Sequence, residues 1–157
     1  MSRPSSRRRA RAQGHRVTSK TRLARLVEEV EGEAWAELQL AIAPELRDRA
    51  GIEVRRYGSA VALLARHIDV PTINRVLGLG FDTPLSAQLL DSIINDYRRA
   101  GIQRFVLQWS PEAQPGEASG WFESRGFREL PPLLKLCRST KLNGALPTPT
   151  SHLTVDE

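Results

Sequence analysis

Two hydrophobic periods alternate along the chain. From Ser19 onward Leu23, Leu26, Val27 and Val30 recur at helical spacing, and Trp35, Leu38, Ile42 and Leu46 continue the stripe past Gly32. This predicts two short helices, or one long helix interrupted at Gly32, ended by Gly51 as a C-cap residue. The period then falls to two. Glu53 to Tyr57 and Ala60 to Arg66 read as strands around Gly58-Ser59, an expected hairpin, and AVALLA is apolar on both faces, as an interior strand is.

Asn74-Arg75-Val76-Leu77-Gly78-Leu79-Gly80-Phe81 reads as a third strand. Ile73, Arg75, Leu77, Leu79 and Phe81 fall on one face; Thr72, Asn74, Val76, Gly78 and Gly80 fall on the other, which is nearly bare. Glycines inside a strand mark a bulge or the close approach of a helix, a backbone or a ligand. Asp82-Thr83-Pro84 has the form of a helix start, with Asp82 or Thr83 as cap and Pro84 in the first turn. The helix buries Leu85, Leu89, Leu90, Ile93, Ile94 and Tyr97 and stops at Ala100-Gly101. Phe105, Leu107 and Trp109 alternate with Val106 and Gln108 in a fourth strand, residues 111–119 form a polar loop, Trp121 to Arg125 make a short helix closed by Gly126, and Leu133 to Leu136 make a last strand. A strand joined through a helix to the next implies a parallel pair, so the fold is expected to be α/β with a mixed sheet.

Composition changes this picture mainly at the ends. The 157 residues suffice for one well-cored domain, and 40% apolar with 26% charged residues is an ordinary globular balance. The net charge of +5 is uneven: residues 1–25 hold nine Arg or Lys and no acid, whereas residues 26–157 hold fourteen Arg or Lys against eighteen acids. Residues 1–18 therefore read as a disordered basic tail, an electrostatic arm for nucleic acid or anionic lipid; any nucleic-acid binding would be weak and without sequence preference, because no aromatic is interleaved for stacking. Its Arg- and Ser-rich, acid-free composition also suits a transit peptide, although an apolar face is missing. One cysteine, Cys137, excludes an internal disulfide framework and is expected to be buried and inert; with no run near 18 apolar residues, a cytoplasmic, non-membrane chain is expected. His15, His67 and His152 have no metal-binding spacing. Ser110 and Ser124 lack the setting of a hydrolase nucleophile.

Trp121-Phe122-Glu123-Ser124-Arg125-Gly126-Phe127, and Tyr97-Arg98-Arg99-Ala100-Gly101-Ile102 followed by RFVLQW, resemble the signatures of the GCN5-related N-acetyltransferase (GNAT) superfamily over about residues 33–138. TINRVLGLGF is similar to a strand in the amino-terminal half of tandem proteins of that family. The resemblance implies a GNAT-like, mainly antiparallel sheet with a central parallel strand pair, flanked by helices. It also implies acetyl transfer from acetyl-CoA to an amine, with the pantetheine arm between the two parallel strands. If acetyl-CoA binds, Leu77, Gly78, Leu79, Gly80, Thr83 and Ser86 would contact it. The loop that would hold the pyrophosphate falls at residues 81–87, FDTPLSA, which has no glycine and contributes Asp82, and the general-acid Tyr position is Phe122. No catalytic residue is therefore assigned, and this half reads as catalytically degenerate. Residues 19–138 would be the domain, and residues 139–157 a linker with the possible start of a second domain at Leu153-Thr154-Val155. A second GNAT domain or a homodimer partner is the expected protein partner. A non-catalytic module binding a ligand or partner, and nucleic-acid association through residues 1–18, remain open beside acetyl transfer.

Overall fold

The computed structural model describes residues 19–137. The readings made of residues 1–18, of Arg138 and of residues 139–157 lie outside the described residues. The chain divides into two compact units, Met1–Phe127 and Arg128–Glu157, and the elements below belong to the first.

In order these are α1 (Ser19–Leu40), α2 (Pro44–Ala50), β1 (Ile52–Tyr57), β2 (Ala60–Ala65), β3 (Arg75–Leu77), α3 (Ala87–Arg99), β4 (Val106–Leu107) and α4 (Ala118–Ser124). The four strands form one sheet in the order β1-β2-β3-β4, with β1, β2 and β3 antiparallel and β3, β4 parallel. The fold is thus mixed α/β. Among the described residues the parallel pair lies at one edge of the sheet rather than in its middle.

The hairpin forms as its sequence predicts. Tyr57 faces Ala60 across a two-residue turn, and Gly58 has φ 64°, the left-handed value that such a turn requires at its first position. All six residues of β2 are buried, because β2 has a strand on each side and a packed layer on each face. Val61 and Leu63 point to one layer with Leu77, Ala36, Val54 and Trp35. Ala60, Ala62 and Leu64 point to the other with Val76, Leu90, Ile93, Ile94 and Tyr97 of α3. At about 1.5–3 kcal/mol for each large side chain removed from water, the α3 layer supplies most of the hydrophobic stabilisation.

Several expected elements differ. Helix α1 runs unbroken through Gly32, where an added Cβ would stand at ordinary contact distance, 3.4 Å from Val61 Cγ2 and 3.8 Å from Leu77 Cβ; the glycine faces the sheet and does not end the helix. Its buried residues are Glu28, Gly32, Ala36 and Gln39; of the apolar stripe expected to be inside, Leu23, Leu26, Val30 and Leu38 face out, while Trp35 packs against the sheet layer. The third strand stops at Leu77, since Gly78 and Gly80 have φ 76° and 80° and break the extended alternation. The fourth strand is two residues long, although Phe105, Leu107 and Trp109 do share one side, as their alternation predicts, and pack against the α3 layer.

The α3 cap is Ser86, whose Oγ accepts the Leu89 N–H at 3.1 Å, and not Asp82 or Thr83. The cause is tertiary: the Leu85 N–H is taken by the Gln114 carbonyl at 2.8 Å, which holds the preceding residues in a loop. Helix α4 begins at Ala118 rather than Trp121. No strand forms at Leu133–Leu136, where Pro131 and Pro132 lack N–H donors and leucine has little β preference. Leu130, Leu133, Leu134 and Leu136 are exposed, and Cys137 is exposed rather than buried.

Candidate functional site

Of the six residues expected to meet a cofactor, Leu77, Gly78, Leu79 and Gly80 lie together where β3 ends. Leu77 and Leu79 are buried there, as the alternation of large and absent side chains around two glycines dictates. Gly78 packs on the hairpin turn, with the Ser59 carbonyl and Ala60 Cα each 3.6 Å from the position of a Cβ. Gly80 is more tightly enclosed. A Cβ built there would lie 2.7 Å from the Gln114 carbonyl oxygen and 2.8 Å from the Trp109 ring.

The loop after β4 makes this enclosure. The Gln114 N–H donates to the Gly80 carbonyl at 2.8 Å and the Gln114 carbonyl accepts from Leu85 at 2.8 Å. The backbone of one residue thus joins the carboxyl end of β3 to the approach to α3. Ala113, beside it, is buried, and the Gln114–Pro115 peptide is cis. Trp109 packs edge-on against Phe122 with ring centroids 5.3 Å apart, and Phe122 in turn meets Phe127. Phe122, at the general-acid position of the resemblance, is therefore a packing residue.

Thr83 and Ser86 do not join the glycines at a shared cavity surface: both are exposed, and the Ser86 hydroxyl is engaged in capping. Asp82 pairs with Arg25 of α1, which fixes an acid in the segment where the resemblance would place a pyrophosphate. Glu112, in the same post-β4 loop, is ion-paired to Lys20 at 2.6 Å, and that lysine holds its carboxyl below the usual range. Ser110 donates to Glu112 at 3.2 Å and Ser124 donates to the Trp121 carbonyl at 3.0 Å.

No family profile, characterised protein or solved structure matches the chain.

Two polar sites escaped sequence reasoning. Asn74 is buried, its Oδ1 accepting the Ala65 N–H at 2.7 Å and its Nδ2 donating to the Ile68 carbonyl at 2.8 Å, so it pins the connection from β2 to β3. It borders a cavity of about 250 Å³ at the amino ends of β3 and β4, also lined by Arg66, Asp69 and Gln103. A polar residue just before an apolar strand was the available signal.

The second is a network on the α3 side. Tyr57 donates to Asp96 at 2.5 Å, Arg55 reaches the same carboxylate at 3.0 Å and Glu53 at 2.5 Å, and Arg99 reaches Asp96 at 2.6 Å. Burial alone would raise the Asp96 pKa, but the Tyr57 hydroxyl and Arg55 guanidinium outweigh it and hold the carboxyl below its ordinary value. Burial, then Asp96, pushes the Tyr57 hydroxyl up. Every member is paired, as a structural network requires.

Other singled-out residues are structural. Arg75 stacks on Trp35 with its guanidinium 4.4 Å from the ring centroid, pairs with Glu31 at 3.6 Å and donates to the Thr72 carbonyl at 2.7 Å. The Tyr97 hydroxyl is buried between the Leu63 and Arg75 carbonyls at 2.9 and 3.0 Å, and its ring stacks on Phe105. Among the described residues no three His, Cys, Asp or Glu side chains converge as metal ligands, and no helix is long and apolar enough to cross a membrane.

Proposed function

We propose that this chain is a GNAT-like domain whose cofactor cleft is occupied by its own backbone, a non-catalytic module rather than an acetyltransferase centre. The observation that carries this reading is the backbone of Gln114. It satisfies the Gly80 carbonyl and the Leu85 amide, the groups that line the gap between the end of β3 and the start of α3. A pantetheine arm entering there would have to displace two backbone hydrogen bonds and the Trp109 ring, a cost of several kcal/mol before any contact is gained.

The surrounding chemistry agrees. Asp82 stands in the would-be phosphate segment, Pro84 offers no amide, and Phe122 cannot donate a proton. Isothermal titration calorimetry of the full chain with acetyl-CoA tests the reading: no saturable heat is expected into the millimolar range. A submillimolar dissociation constant would overturn it and restore acetyl transfer to an amine as the leading function.

A further inference from the structure

Trp35 apart, helix α1 carries most of its large apolar side chains on the face turned away from its own sheet. At about 100° per residue, Leu23, Leu26, Val27, Val30, Ala34 and Leu38 fall within one third of the helix circumference. The face packed on the sheet is the opposite one, made of Glu28, Gly32, Ala36 and Gln39. Leu23 is 49% exposed, Leu26 54%, Val30 60% and Leu38 58%. A continuous apolar ridge of this length on a surface helix is what a protein partner covers.

The charges on the same helix say which partner. Ser19–Arg25 contains Lys20, Arg22 and Arg25 and no acid, whereas residues 28–37 contain Glu28, Glu29, Glu31, Glu33 and Glu37 and no base. This polarity opposes the helix dipole, which favours acids at the amino end and bases at the carboxyl end. Most of these charges are spent within the chain: Lys20 pairs with Glu112, Arg25 with Glu29 and Asp82, Glu33 with Arg56, and Glu31 with Arg75. Among the described residues Arg22 and Glu37 form no ion pair. They flank the apolar ridge near its two ends.

We propose that α1 is a homodimer interface, in which two copies of the chain pair antiparallel through the Leu23, Leu26, Val30, Leu38 ridge about a twofold axis at Val30. Val30 lies at the middle of Ser19–Leu40. In that register Leu26 packs beside the partner's Ala34, and Arg22 meets the partner's Glu37 twice by symmetry. The pairing is isologous, so a single patch is complementary to itself, and the two helix dipoles oppose. It also explains why the face turned to the sheet is small and polar while the outer face is leucine-rich: the inner face needs only close approach, and the outer one supplies the apolar burial.

Sedimentation equilibrium of the full chain over a wide concentration range tests this. The native chain should reach twice its 17.5 kDa mass, and Val30→Glu, which sets two glutamates face to face, should weaken the dimer by about a hundredfold or more with an unchanged circular dichroism spectrum. Arg22→Glu and Glu37→Arg should each weaken it roughly tenfold, and the double exchange should restore it. A chain monomeric throughout overturns the proposal; its flotation with phosphatidylserine vesicles would then assign the ridge to a lipid surface. A dimer indifferent to Val30→Glu, or one that the double exchange fails to restore, overturns the antiparallel arrangement equally.

Discussion

The two faces of the sheet are built on different principles. On the α3 side, Leu90, Ile93, Ile94 and Tyr97 meet Ala60, Ala62, Leu64 and Val76 in a broad apolar layer. On the α1 side, Gly32 and Ala36 bring the helix close to Val61, Leu63 and Leu77, and polar contacts border them: Glu28 accepts from Gln108 at 3.1 Å, and Arg75 stacks on Trp35. The first face is stabilised by area and the second by proximity. A helix held by proximity keeps its apolar residues for something else, and α1 turns them outward.

This contrast can be broken most severely from the α3 side. Ile93 is fully buried, so Ile93→Ala should cost about 2–5 kcal/mol, read as a fall in the urea midpoint at constant m-value. A loss below 1 kcal/mol would mean that the layer is not the main core. Tyr97→Phe should cost about 1–3 kcal/mol by the same assay, because the buried hydroxyl serves carbonyls of both β2 and β3. An unchanged midpoint would show that the hydroxyl contributes nothing to joining those strands.

From the α1 side the expected effect is smaller and opposite in sign. At Gly32 a methyl group would meet Val61 Cγ2 at ordinary contact distance, so Gly32→Ala should stabilise by up to about 1 kcal/mol through helix propensity. Destabilisation there would indicate closer packing than these contacts imply.

The smallest effect is in pH. Asp96 has a folded-state pKa below its unfolded value, so its contribution is fully present above the unfolded pKa of about 4 and is lost as pH falls through the lower, folded value. The native chain should therefore lose stability below about pH 4 more steeply than Asp96→Asn in paired urea titrations. Parallel curves would remove Asp96 from the acid response.

Much of the fold is legible from local pattern where local and tertiary preferences agree. AVALLA announces an interior strand, Gly58-Ser59 a hairpin, and the Leu90, Ile93, Ile94, Tyr97 stripe the buried face of α3. Pattern misleads on α1, because periodicity locates an apolar face without saying whether this chain covers it; the small residues Gly32 and Ala36, four apart, were the better guide. The α3 cap was misassigned because Gln114, distant in sequence, takes the Leu85 amide. The candidate site was half legible: Gly78 and Gly80 signalled close approach, but the sequence holds no sign that Gln114 approaches Gly80.

Amide hydrogen exchange at Gln114 and Leu85, with and without millimolar acetyl-CoA, tests the proposed self-occupied cleft most directly. Both amides donate to backbone carbonyls, Gln114 to Gly80 and Leu85 to Gln114, so both should be protected and unaltered by acetyl-CoA. Rapid exchange of either amide, or a change in protection on adding acetyl-CoA, would contradict a cleft occupied by the chain itself.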